Sequence, residues 1–223
     1  SMDWTALTLS LKLGAATVAL LLPVGFVVAR WLAFRSFRGQ GVVEALLALP
    51  LILPPTVLGY YLLVGLGGAS PVGQLWKSLF GRQLVFHFEA LLVASVIANL
   101  PFAIQPMVQA FRAIPAEVRE AAAVSGMTPW AVMRRIDLPL AWPGILTGLV
   151  LTFAHTMGEF GVVLMVGGSL PGETRTLSIA IYDRVQAFDD AAAHAMSAVL
   201  MAVSVTALAL TSLLSNRVTR RHG

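Results

Sequence analysis

Five stretches of this chain, at about residues 8–34, 42–67, 88–112, 140–166 and 191–215, are apolar for unusually long runs. Each exceeds the roughly 18 to 20 residues a helix needs to cross a hydrocarbon core about 30 Å thick. No water reaches the backbone inside such a core, so every N–H and C=O must be paired within its own segment. Helices meet that demand run by run. The expected fold is all-α and integral to a membrane, a bundle of five spans forming a single domain over residues 1–223. The charge content agrees, since only 12% of residues are charged where soluble domains carry about 25%.

Between the fourth and fifth runs lies SLPGETRTLSIAIYDRVQAFDD, a turn and then about twelve residues of helical pattern. That piece is too short to span and is expected at the outer surface or half-inserted; a sixth full span is the alternative. The opening SMDWTALTLS has neither a basic n-region nor a small-residue cleavage pattern, so the first run is expected to stay in the protein. The chain has no cysteine, which excludes disulfides, thiolate metal sites and cysteine nucleophiles.

Lysine and arginine in short loops set orientation. Arg30, Arg35 and Arg38 follow the first run, Arg112, Arg119, Arg134 and Arg135 lie between the third and fourth, and Arg217, Arg220 and Arg221 follow the fifth. These belong to one side. Lys12, Lys77, Arg82, Arg175 and Arg184 fall on the other, diluted by Glu173, Asp183, Asp189 and Asp190. The N-terminus is expected outside and the C-terminus inside, as five crossings require. The net charge of +4 is then a consequence of topology and does not call for nucleic acid. Proline is frequent within the runs: Pro23, Pro50, Pro54, Pro55, Pro101, Pro106 and Pro143. Each removes a backbone donor and crowds the preceding turn, so the spans are expected to bend around an internal cavity.

The stretch EAAAVSGMTPWAVMRRIDLP, Glu120 to Pro139, is built differently. Pro115 suits a first helical position, and Glu117, Glu120, Ala121 and Ala122 make a short helix of strong formers with acid near its positive end. Gly126 ends it, because glycine takes the left-handed conformation cheaply. Thr128 is a good N-cap and Pro129 a good first residue for a second short helix through Ile136. Arg134 and Arg135 sit near that helix's negative end, and Leu138 and Pro139 are expected to redirect the chain into the fourth span. The product over residues 113–139 is a compact helix–turn–helix at the inner face.

Glu120, Ala121 and Ala122, then Gly126, then Ile136, Asp137, Leu138 and Pro139 match the EAA signature, so this stretch resembles the membrane subunits of bacterial ABC importers. LPLILPPTVLGY in the second run, Gly158-Glu159-Phe160-Gly161 in the fourth, and Pro171-Gly172-Glu173-Thr174-Arg175-Thr176 after it are similar to the permease subunits of molybdate importers over nearly the whole chain. Tungstate and sulfate permeases share the glycine-flanked glutamate. The resemblance implies the type I importer permease fold, a location in the bacterial inner membrane, and a coupling segment docking on a cytoplasmic ABC ATPase dimer. It implies a second copy of the chain and a periplasmic or extracellular oxyanion-binding protein as further partners. Glu120, Ala121, Ala122, Gly126, Arg134, Arg135, Leu138 and Pro139 would serve that coupling. The chain would bind no cofactor itself, with ATP and magnesium held by the ATPase. His155 departs from the pattern, standing where the family commonly carries arginine.

Thr152, His155, Thr156 and Glu159 recur at spacings of three and four and share one helical face. A polar stripe in lipid either lines a pathway or bonds helices together, and spacing leaves both open. Ser95 and Asn99 form a weaker pair that reads as interhelical bonding. Glu159 is expected to turn toward backbone amides or His155 rather than meet a dianion, with Gly158 and Gly161 admitting a neighbouring helix. At the outer surface His87, Glu89, Arg175 and Tyr182 are the candidates for touching a binding protein. A membrane enzyme and a secondary transporter are the competing classes. His155 and Glu159 lack the second histidine of a helical metalloprotease, no internal repeat is visible, and no phosphate-binding glycine loop with Lys-Ser/Thr exists for ATP hydrolysis by this chain.

Overall fold

The computed structural model describes residues 1–221, and the regular structure there is helical. Among the described residues four helices are long and apolar enough to cross a membrane by themselves. The first, α1 (Trp4–Phe34), opens with Asp3 capping the amide of Ala6 at 3.0 Å. The helix α5 (Phe88–Arg112) stays continuous through Pro101 and Pro106. A third runs from Pro129 to Gly158, and the fourth is α11 (Asp190–Arg221), whose apolar span ends at Arg217.

The second apolar run behaves differently from the expectation of one kinked span. It is two half-helices, α2 (Gln40–Ile52) and α3 (Pro55–Leu66), bent by 112° at Leu53-Pro54. Pro54 and Pro55 explain a break, since neither offers an amide to the preceding turn. The angle comes from packing. A Cβ built on Gly59 would lie 2.7 Å from Met165 Cβ, and one on Gly161 would lie 2.7 Å from Pro55 Cβ. The second half-helix is thus pressed against α9 (Gly161–Gly167), which itself follows a break after α8 (Leu138–Gly158). The fourth run, expected as one span over 140–166, therefore ends at Gly158. Outside these lie α4 (Pro71–Phe80) and α10 (Leu177–Gln186), the latter a short helix in the stretch where the sequence pattern expected one.

One crossing holds the centre. On α8 a Cβ at Gly144 would come within 2.3 Å of Ala110 Cβ, and one at Gly148 within 2.7 Å of the Ala103 carbonyl, so α5 and α8 touch almost backbone to backbone. The pair forms a small-xxx-small stripe, which suits membrane helices because close van der Waals packing replaces the absent hydrophobic drive. Leu32, Ile104, Met107, Phe111 and Ile145 fill the core at the end where α1 and α5 finish, and Leu91, Ala94, Val162, Val163 and Ile179 fill it at the opposite end.

Candidate functional site

Two features stand out, a knob at one end of the bundle and a cavity near the other. The knob begins with α6 (Ala116–Val124), with Pro115 just outside the helix as its N-cap rather than in the first helical position. Gly126 is left-handed, with φ +80°. Its amide donates to the Ala123 carbonyl at 3.1 Å and the Met127 amide donates to Ala122 at 3.1 Å, the paired bonds that close a helix around a left-handed residue. Thr128 caps the Ala131 amide at 3.2 Å, as expected. The next element, α7 (Pro129–Val132), does not stand alone. It passes through a π-helical turn, Met133–Asp137, straight into α8, so Leu138 and Pro139 redirect nothing. Proline is tolerated there because it lies in the first turn of α8, where the wider π turn precedes it.

Glu120, Ala121, Arg134, Arg135, Leu138 and Pro139 are exposed on this knob, and Ala122 is buried beneath it. Val124 and Trp130 are 89% and 66% exposed, so the knob presents an apolar tip ringed by charge. Asp137, which sequence reading passed over as a mere signature position, is fully buried. Its carboxylate accepts from Arg30 Nε at 2.8 Å and from Arg119 Nε and Nη2 at 3.0 and 3.2 Å.

At the other end of the Pro129–Gly158 helix the expected stripe splits. Thr152 and Thr156 are shut inside the chain, 0% and 2% exposed. Thr156 donates to the Thr152 carbonyl at 2.7 Å and accepts from Asn99 Nδ2 at 3.1 Å, and Thr17 reaches Ser95 at 2.9 Å. This is bonding among α1, α5 and α8, so Ser95 and Asn99 act as expected and Thr156 joins them, while the Thr152 hydroxyl is buried without a hydrogen-bond partner and neither threonine faces an open route. His155 is the boundary. Asn99 Nδ2 also donates to the Ser95 carbonyl, which leaves its Oδ1 to accept from His155 Nδ1 at 2.9 Å. The imidazole stacks on Phe102 at 4.1 Å between centroids. Its Nε2 is left toward a cavity of about 460 Å³ lined by Pro55, Thr56, His155, Glu159, Phe160 and Met165 among others.

That cavity forms where the two broken helices meet. Glu159 is 7% exposed, accepts from the amides of Phe160 and Val162, and lies 3.7 Å from His155 Nε2. It closes the start of α9, as its expected inward turn requires. Gly161 admits Pro55, but nothing lies within 4 Å of a Cβ at Gly158, so only one of the two glycines serves close approach.

The outer candidates are mostly engaged with one another. His87 Nδ1 lies 3.1 Å from Glu173 Oε1 and 3.2 Å from Arg82, which also pairs with Glu89. Glu173 accepts from the Phe88 amide as well, and these partners, the His87 bond foremost, hold its carboxyl below the ordinary carboxylate range. Arg175 donates to the Ser169 hydroxyl at 2.8 Å and to its carbonyl, bracing its own loop near Asp183. Tyr182 is half exposed beside Phe160. Among the described residues no group of three metal-ligating side chains occurs.

Broken membrane helices enclosing a polar-edged cavity, joined by one continuous helix to a protruding knob, define a membrane transport subunit. The chain belongs to the family of binding-protein-dependent transport system inner membrane components, whose pattern matches residues 22–220. It is 48% identical to the molybdenum transport system permease protein ModB of Azotobacter vinelandii, over 86% of this chain and 85% of that protein. Identity to the ModB of Escherichia coli K12 is 36%, over 82% and 80% of the two chains. The fold matches a bacterial alginate ABC transporter crystallised with a pentasaccharide-bound periplasmic protein, with a TM-score of 0.71 at 19% identity, over 97% of this chain and 78% of that one.

Proposed function

We propose that this chain is the permease subunit of an ATP-driven importer of molybdate, working in the bacterial inner membrane as a homodimer. A cytoplasmic ABC ATPase dimer, carrying ATP and magnesium, receives the knob, and an external oxyanion-binding protein delivers the substrate. The broken α2–α3 pair counts as one crossing, which gives five spans with the N-terminus outside and the C-terminus inside. The identity to the two ModB proteins supports molybdate as substrate. One observation carries the mechanism: a single helix, Pro129–Gly158, has the knob at its start and His155 near its end. At 1.5 Å per residue those 30 residues extend about 45 Å, enough to carry a displacement across the bilayer.

The knob's exposed Val124 and Trp130 give an ATPase cleft an apolar anchor, and Glu120 gives it a charge that fixes register. In the cavity His155 offers a polar edge, its Nε2, since its Nδ1 is held by Asn99. Glu159 is occupied by amides and so presents less charge to a passing dianion. A route of this kind binds weakly, which lets the anion leave; capture falls to the binding protein. The test is ATP hydrolysis by the assembled complex with its binding protein, titrated with molybdate, tungstate and sulfate. Stimulation by molybdate at the lowest concentration is expected. Stimulation by sulfate at lower concentrations than molybdate would move the substrate to the sulfate class, and none by any anion would remove the importer reading.

A further inference from the structure

Asp137 is fully buried, yet its chemistry is directed at two distant parts of the chain. Arg30 belongs to α1 and Arg119 to α6, the first helix of the knob, while Asp137 closes the π-helical turn at the base of α8. Arg119 engages both carboxylate oxygens in a fork and lies 3.4 Å over the ring of Phe34 at the end of α1. Both arginine side chains are a little over a quarter exposed, 28% and 27%, so the charges meet at the edge of the core where screening is incomplete. Fork geometry fixes orientation as well as distance. π-Helical turns are rare and concentrate at functional positions.

We propose that the Arg30–Asp137–Arg119 clasp is the positioning device that makes the knob and the Pro129–Gly158 helix move as one body during transport. The inference rests on the permease reading and adds the element that transmits the stroke. Gly126 and Met127 form the hinge between α6 and α7, a turn closed by two backbone bonds and exposed at Gly126. The clasp spans that hinge, from Arg119 on one side to Asp137 on the other. A pull on α6 therefore reaches the base of α8 through the carboxylate. Arg30 ties the same carboxylate to α1, and Phe34 of α1 carries the Arg119 guanidinium, so this end of α1 belongs to the same body.

The experiment is the ratio of molybdate imported to ATP hydrolysed by the full complex in proteoliposomes, for wild type, Asp137→Asn, Arg119→Lys and the Asp137→Asn/Arg119→Lys double variant. Asparagine keeps the shape but loses the charge, and lysine keeps the charge but loses the fork. Each single variant is expected to lower the ratio about tenfold or more while the ATPase still copurifies. The double variant should be no worse than Asp137→Asn, since both changes remove one linkage. A purely structural role would instead lower yield and thermal stability with the ratio of the surviving complex unchanged, and that result overturns the proposal. If Asp137→Asn cannot be purified, Arg119→Lys decides alone: a lowered ratio supports the clasp and a wild-type ratio refutes it. A wild-type complex that imports nothing with ATP would count against the permease reading itself, a different failure.

Discussion

Replacing Gly126 isolates what the knob's turn does, because backbone conformation alone is disturbed. The residue sits at φ +80°, and a Cβ there has nothing within 4 Å to strike. The whole penalty is the left-handed conformation, about 1–2 kcal/mol for an ordinary L residue. Two amide bonds of 3.1 Å, from Gly126 and Met127, depend on that conformation. In a short exposed segment of low local stability, 1–2 kcal/mol multiplies the opened fraction of the turn by about 5 to 30. A series of three variants follows. Gly126→Asn should be nearly silent, since asparagine tolerates the region, whereas Gly126→Ala and Gly126→Leu should each carry the full penalty. The assay is molybdate uptake with ATP hydrolysis measured alongside, after confirming insertion and ATPase copurification. Uptake per ATP should fall for the alanine and leucine variants with membrane insertion intact. A Gly126→Leu complex that transports at the wild-type rate would show that the turn is not part of the coupling.

Glu120→Lys should weaken assembly or coupling, and pairing it with the opposite charge change on the ATPase should restore it; no interaction in that double cycle discards the contact. Single cysteines from 152 to 163 in this cysteine-free chain should react with a small polar thiol reagent strongly at 155 and weakly at 152, 156 and 159, and strong labelling at 152 and 156 would reopen those threonines as pathway residues. Phe188 holds φ +59° and is 92% exposed, so Phe188→Gly should stabilise the folded protein by about 1 kcal/mol in a thermal-unfolding assay, and a lowered midpoint contradicts that. Glu173 has its carboxyl held below the ordinary range by His87 and the Phe88 amide. Its contribution is complete above the unfolded-state value and lost as pH falls through the lower folded one. After screening of so exposed a group it amounts to under about 1 kcal/mol. Glu173→Gln should therefore destabilise at neutral pH and converge with wild type in acid; an equal difference at both pH values would refute the assignment.

What sequence could and could not show divides along the range of the interactions. The spans of α1 and α5 and the Gly126 turn are local matters of apolar length, left-handed glycine and an N-cap threonine. The bend of 112° between α2 and α3 is not local. Two prolines announce a break, but its angle is set by Gly59 and Gly161 docking against Met165 and Pro55, residues about a hundred positions away. Helical spacing correctly put Thr152, His155 and Thr156 on one face. It could not say that α1 and α5 would cover the threonines and leave the histidine at a cavity edge. Asp137 stands in the sequence as one acid close after Arg134 and Arg135, which says nothing of burial, and its partner Arg30 is 107 positions distant. Gly144 and Gly148 did carry a signal, a GxxxG pair in a membrane helix, and it marks the α5–α8 crossing.

The most direct test is uptake of labelled molybdate into proteoliposomes holding this chain and its ATPase, with ATP on the ATPase side and the binding protein on the other. Accumulation should require ATP, the ATPase and the binding protein together, and should vanish when any one is omitted. Accumulation driven by an ion gradient without the ATPase, or none above the ATP-free control when all three are present, would contradict the importer mechanism.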